Sequence, residues 1–310
     1  MAALRGRDFT EIRDLEAAEL VDLLGFAADL KARARAGDRP PLLAGKTLAL
    51  VFEKPSLRTR TTFETGMFQL AGHAVYLGMQ EIQMGARESF ADIARNLDRW
   101  VDAIAARTFA QDTVTMLAEH ARIPVINALS DREHPCQTLA TLLTVQERYG
   151  RFAGLRLAWV GDGNNTLRSL LHGAVRLGIS VAIAMPPGYS LDAETLHLAR
   201  EAAAASHATV EVTDDPAQAV AGADVIYTDA WASMGQETEA AARRTAFASY
   251  QVNTALLAKA PRHAVVSHCL PAHRGEEITD EVLDGPRSVA FDEAENRLHT
   301  QKALLAQMLG

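Results

Sequence analysis

At 310 residues, with 48% hydrophobic and 23% charged side chains, the chain has the composition of a globular protein with roughly two cores of about 150 residues each, which excludes a disordered polymer. No apolar run approaches the roughly 20 residues that span a bilayer, and a net charge of −8 excludes nucleic acid as the bulk partner and confines any anion site to a local basic pocket. Two cysteines, Cys136 and Cys269, make no disulfide framework, and the N-terminal MAALRGRDFTEIRDLEAAEL holds no continuous apolar region of the secretory type, so the expected address is cytoplasmic, with no membrane contact.

From Lys46 onward, strand-like and helix-like segments alternate. LALVFEKP (48–55) reads as a buried strand and is followed by a helix through Ala71, with Phe63, Met67 and Leu70 at i, i+4 and i+7. HAVYLG, a helix within SFADIARNLDRWV, AIAART, the helix QDTVTMLAEHA and PVINAL complete a first half. HPCQTLATLLTVQERYG, with Leu139, Leu142 and Leu143 at helical spacing and Gly150 behind, predicts a linking helix. The pattern restarts at LRLAWVGDG and continues through VAIAMPP, TVEVTD, DVIYTDAW, AVVSHCL and SVAFDE, each expected as a strand. ENRLHTQKALLAQML closes the chain as a second helix able to return to the first half. The predicted fold is therefore α/β: two doubly wound domains, each a central parallel sheet flanked by helices, joined by two interdomain helices. The expected division is 1–140 with the helix 294–310, and 141–293.

Ligands in such sheets bind beyond the carboxyl ends of the strands. There the first half delivers Ser56, Arg58, Thr59 and Arg60, then Arg107, then His134-Pro135-Cys136-Gln137. A helix N-terminus presents unpaired N–H groups and the positive end of its dipole, and guanidinium forks match phosphate oxygens, so this half reads as a phosphate site. The second half delivers Gly161-Asp162-Gly163-Asn164-Asn165, Asp229 through Gly235, and His268-Cys269-Leu270-Pro271. Asp229, ending an apolar strand, suits an ammonium group, with a helix N-cap as the alternative. His134, Cys136, His268 and Cys269 also admit a metal reading, although H-x-C and H-C are not finger or ribbon spacings. A Cys-His hydrolase with Cys269 as nucleophile leaves the arginines without a role. GDGNN lacks the third glycine and the acidic ribose partner of a dinucleotide fingerprint.

Together these strings resemble the aspartate/ornithine carbamoyltransferase family, over about residues 8 to 308. FEKPSLRTR is similar to its S-T-R-T-R phosphate loop, Arg107-Thr108 to a strand-end arginine and HPCQ to its carbonyl-binding stretch. GDGNN, DAWASMG and HCLP resemble the ornithine branch, and FDEAENRLH places Arg297 at a ligand-contacting arginine. The resemblance implies a carbamoyl phosphate-binding first domain and an ornithine-binding second domain. Carbamoyl phosphate would be bound by Ser56, Leu57, Arg58, Thr59, Gln83, Arg107, His134, Pro135, Cys136, Gln137, Cys269, Leu270 and Arg297, and ornithine by Asn165, Asp229, Ser233 and Met234. Arg58, Arg107, His134 and Cys269 would act in catalysis, with Cys269 orienting the amine, not attacking. Gln83 would serve a neighbouring subunit's site in a homotrimer.

The implied reaction transfers the carbamoyl group to the δ-amine of ornithine, giving citrulline and phosphate, as in arginine or urea-type metabolism, with no metal, no cofactor and no covalent intermediate. Domain closure would exclude water and align the reactants. Leu57 stands where the common motif has threonine. It is expected to lend its backbone N–H to the ligand and to bury its side chain between helix and sheet. A carbamoyltransferase for another amine, such as putrescine, and a non-catalytic phosphometabolite-binding protein are the competing functions.

Overall fold

The computed structural model describes residues 4–79, 83–85, 87–232 and 237–310. The chain forms two compact units, Met1–Leu143 with Glu295–Gly310, and Thr144–Ala294.

The first unit opens with α1 (Ala17–Arg35), an element that the reading from Lys46 onward did not include. Its signal is present in the sequence: Glu16 and Glu19 form a capping box, and Leu20, Leu23, Leu24, Ala27 and Leu30 supply the buried stripe. Then follow β1 (Thr47–Phe52), α2 (Leu57–Gln69), β2 (His73–Gly78), α3 (Phe90–Leu97), β3 (Ala103–Arg107), α4 (Gln111–His120), β4 (Val125–Leu129) and α5 (Pro135–Tyr149). The four strands are all parallel in the order β2-β1-β3-β4. β1 is buried from Leu48 to Phe52, as a strand covered on both faces requires. Helix starts are set by side chains: Ser56 Oγ accepts from Thr59 N, and Ser89 Oγ from Asp92 N.

The second unit contains β5 (Arg156–Val160), α6 (Asn165–Arg176), β6 (Ser180–Ala184), α7 (Ala193–Ala205), β7 (Val210–Thr213), α8 (Pro216–Val220), β8 (Val225–Thr228), α9 (Ala240–Phe247), α10 (Thr254–Leu257), β9 (Val265–His268) and α11 (Asp280–Leu283). Its five parallel strands run β7-β6-β5-β8-β9. The order reverses at β5, so the loops after β5 and β8 flank the switch point where such sheets take ligands. Gly163 is required in the first of these loops, because a Cβ there would lie 2.5 Å from the carbonyl oxygen of Tyr189.

SVAFDE is not a strand. Ser288 makes a single bridge to Val266, and α12 (Ala290–Leu309) begins two residues later. Asp292 and Glu293 occupy its first turn, where carboxylates complement the helix dipole, and this local preference ends the pairing. The unit boundaries fall inside two helices, at Leu143 and Thr144 within α5 and at Ala294 and Glu295 within α12. Among the described residues no helix is long and apolar enough to cross a membrane.

Candidate functional site

In the first unit the polar chemistry collects at the ends of β1, β3 and β4. Arg58 and Thr59 lie in the first turn of α2, where Ser56 caps the helix and Thr59 is buried. Arg107 is buried at the last position of β3, where the register against β4 shifts between Ala106 and Arg107. That irregularity re-aims the strand end. His134 is 5% exposed and immediately precedes α5, with Pro135 as the first helical residue. From α12 comes Arg297, 2% exposed, whose Nη1 donates to Gln137 Oε1 at 2.6 Å and whose Nη2 donates to Thr59 Oγ1 at 3.2 Å.

His134 reports how closely these groups gather. Its pKa is pushed well below 6.5, first by burial and then by Arg297, Arg107 and Arg58. At neutral pH it is therefore a neutral imidazole with one N–H to donate, held in a field that favours negative charge. Cys136, two residues on, is buried, with Sγ donating to the Asn127 carbonyl at 3.5 Å. Burial pushes its thiol up to about 12, which removes Cys136 as nucleophile or thiolate ligand.

Three further members of the expected set are exposed. Leu57 is 77% exposed, so its side chain does not pack between helix and sheet. Directly after the Ser56 cap it occupies the first position of α2 and projects away from the buried face formed by Thr59, Phe63, Gly66 and Met67. Arg60 lies over the Tyr76 ring at 3.7 Å and donates to Glu64 at 2.9 Å, the arrangement of an outward arginine. Gln83 is exposed, with φ of 46°.

In the second unit Asp229 follows β8. Its Oδ2 accepts from Asn164 Nδ2 at 2.8 Å, and its Oδ1 accepts from Cys269 Sγ at 2.8 Å and from the Ala230 N–H at 2.7 Å. Asp229 is thus no helix cap, whereas Asn164 is one, its Oδ1 accepting from Leu167 N. Asn165, the assigned residue, begins α6 beside it. Ser233 and Met234 lie outside the described residues.

Asp229, His268 and Cys269 bring ligand-type atoms within 4.8 Å of one another. Both ring nitrogens of His268 are already engaged, however: Nδ1 accepts from Leu270 N at 2.8 Å and Nε2 lies 3.0 Å from Glu277 Oε1. That pattern fixes the Nε2–H tautomer and makes the histidine a support for the Cys269-Leu270 turn, in which Leu270 has φ of 57°. A second support is Asp162 of GDGNN, paired with Arg243 at 3.0 Å, while Arg243 also donates to the Trp231 carbonyl at 2.8 Å. Burial raises Asp162 to about 6 despite Arg243. Glu277 and Arg243 were missed in the sequence because they sit in loop and helix surroundings without any motif.

Chemically, the first unit offers an anion site with a neutral imidazole beside it, and the second a carboxylate held by neutral donors. A family model described as the aspartate/ornithine carbamoyltransferase carbamoyl-P binding domain matches residues 7–147, and one described as the Asp/Orn binding domain matches 153–308. The ornithine carbamoyltransferase of Carboxydothermus hydrogenoformans is 49% identical over 310 residues, covering 100% of each chain. That of Anoxybacillus flavithermus is 50% identical over 306 residues, covering 99% of this chain and 98% of its own. The solved ornithine carbamoyltransferase from Pyrococcus furiosus superimposes with a TM-score of 0.97 at 48% identity, over 100% of this chain and 99% of that one. With these matches spanning both units, the chain belongs to the aspartate/ornithine carbamoyltransferase family.

Proposed function

We propose that this chain transfers the carbamoyl group of carbamoyl phosphate to the δ-amine of L-ornithine, giving L-citrulline and phosphate. The observation that carries this reading is the gathering of Arg58, Arg107 and Arg297 about a neutral His134, with Arg297 bonded to both Thr59 and Gln137. Such a site suits a ligand that joins a phosphate to a carbonyl. The N-terminus of α2 and the guanidinium groups hold the phosphate, while the His134 N–H and Arg58 serve the carbonyl oxygen as negative charge develops on it. The lone pair of the δ-amine attacks the carbonyl carbon, the carbon–oxygen bond to phosphate breaks with its electron pair leaving on phosphate, and the amine proton passes to phosphate.

Asp229 anchors the α-ammonium of ornithine, assisted by Asn165, Ser233 and Met234, and so leaves the δ-amine free. Cys269 orients that amine. Its thiol proton, directed at Asp229, supports orientation over attack. Leu270 borders the carbonyl, and Pro135, Cys136 and Gln137 shape the stretch that holds it. The choice of ornithine over aspartate rests on DAWASMG and HCLP and on relatives named for ornithine. The protein would act in the cytoplasm as a homotrimer in which Gln83 completes a neighbouring site.

Citrulline formation from carbamoyl phosphate with ornithine, aspartate or putrescine tests the reaction. Turnover with ornithine alone is expected, and preference for putrescine would reassign the amine. Mixing Gln83→Ala with Arg58→Ala subunits tests the shared site. Recovered activity is expected, and none in verified mixed oligomers would remove Gln83 from it.

A further inference from the structure

The loop that delivers His134 carries no regular structure between β4 and α5, yet it is buried at Ser130, Glu133 and His134. What fixes it is a set of side chains none of which is assigned a part in the reaction. The Ser130 hydroxyl accepts from the backbone N–H of Glu133 at 3.1 Å and from that of Arg132 at 3.3 Å, closing the turn that ends at His134. The same hydroxyl donates to Gln111 Oε1 at 2.5 Å. Gln111 Oε1 also accepts from Asn127 Nδ2 at 3.0 Å, and Asn127 Nδ2 reaches the Thr10 carbonyl at 2.9 Å. Asn127 in turn offers its carbonyl to Sγ of Cys136, two residues beyond His134 in the chain.

The chemistry of this set is directional. A hydroxyl has one proton, and Gln111 takes it, so the Ser130 oxygen faces the two loop N–H groups as an acceptor and, at 3.2 Å, Asn127 Nδ2 as well. Gln111 is the first residue of α4, and Asn127 lies in β4, so the loop is tied to regular elements at both contacts. We propose that Ser130, with its proton accepted by Gln111, is a positioning residue that fixes the His134 imidazole against Arg58, Arg107 and Arg297. This inference rests on the role given above to His134, and its signature is separable from activity. If the turn loosens, the imidazole gains water and leaves the guanidinium groups of α2, β3 and α12, so its protonation moves up toward 6.5. The three guanidinium groups are the charges that act on His134, and Glu133 in the same loop acts on Arg13; all of these are the same in each variant.

The test compares Ser130→Ala, Ser130→Thr and Gln111→Met with the unaltered protein, following citrulline formation and the NMR titration of the His134 ring. Ser130→Ala is expected to lower kcat by about 10- to 100-fold, the cost of a small misplacement of a catalytic group, with the carbamoyl phosphate KM changed less than about threefold. The His134 titration should rise, and Ser130→Thr, which keeps the hydroxyl, should restore both. Gln111→Met should shift both in the same direction by less. A folded Ser130→Ala with unchanged kcat and an unmoved His134 titration overturns the inference, as does a Thr variant no better than Ala. Should Ser130→Ala fail to fold, Gln111→Met decides by the same two readings. Absence of citrulline formation in the unaltered protein would defeat the functional reading instead, and the titration would still judge the positioning.

Discussion

His134 in one unit and Asp229 in the other mark the two sites, and they are built on opposite terms. His134 is 5% exposed and shaped by three guanidinium groups from three separate elements, one of them itself tied to Thr59 and Gln137. Asp229 is half-buried, and its described partners are an amide, a thiol and a backbone N–H, all neutral. Arg243, a cation buried in the second unit, is taken up by Asp162 and Glu239. The first site therefore concentrates positive charge away from water, whereas the second holds a carboxylate among neutral donors. Each has the charge that its proposed ligand lacks.

The largest effect should follow from removing a cation at the first site. Arg58→Ala is expected to lower turnover at least ~100-fold, because a charge-assisted donor aimed at the transition state is lost; steady-state assays at saturating ornithine measure it, and near-normal turnover would break the comparison at its root. At the second site Asp229→Asn should raise the ornithine KM by roughly 10- to 100-fold, the worth of a hydrogen bond to a charged group. The carbamoyl phosphate KM should stay within about threefold, and an equal rise in both would show that the sites do not divide the substrates as argued.

Smaller effects sharpen the reading of the phosphate loop. Thr59→Val removes the acceptor of Arg297 Nη2 and should cost about two- to tenfold in carbamoyl phosphate KM or kcat. Leu57→Thr alters a side chain that is 77% exposed, so it should leave thermal stability unchanged and carbamoyl phosphate KM within about tenfold. A threonine variant binding about 100-fold tighter would mean that a hydroxyl at this position touches the ligand.

A modest effect on stability belongs to Asp162, whose carboxyl is raised from 3.8 to about 6 in the folded chain. Because the folded form binds the proton more tightly, this group's contribution is fully present below pH 3.8 and lost as pH rises through about 6. Denaturant unfolding should show the native protein losing about 1 kcal/mol relative to Asp162→Asn between pH 5 and 7.5. A constant difference would mean that Arg243 holds the carboxylate ionised throughout.

Much of this was legible from residues alone. Period-2 and buried apolar runs separated by helical spacings announced every strand from Thr47 to His268, and Arg58, Arg107 and His134 were found because polar residues at strand ends have few other reasons to cluster. SVAFDE misled because two β-prone residues, Val289 and Phe291, outweighed the acidic first turn that goes with them, and Leu57 because an apolar residue suggested burial while its place after a cap decided exposure. Glu277, Arg243, Ser130 and Gln111 carried no motif, since a hydrogen-bonded support needs only a donor or acceptor in reach.

By itself the sequence determined the alternation of elements, the parallel sheets and the residue types at their ends, because hydrophobic period and capping chemistry act over a few neighbours. Only the tertiary structure decided which of those residues share an environment. Arg297 meets Thr59 from 238 positions away, Asp229 meets Cys269 from 40 away, and the neutrality of His134 follows from burial among charges carried by three elements. Such contacts depend on how helices and strands stack, and dielectric and distance in a folded interior have no counterpart in local spacing.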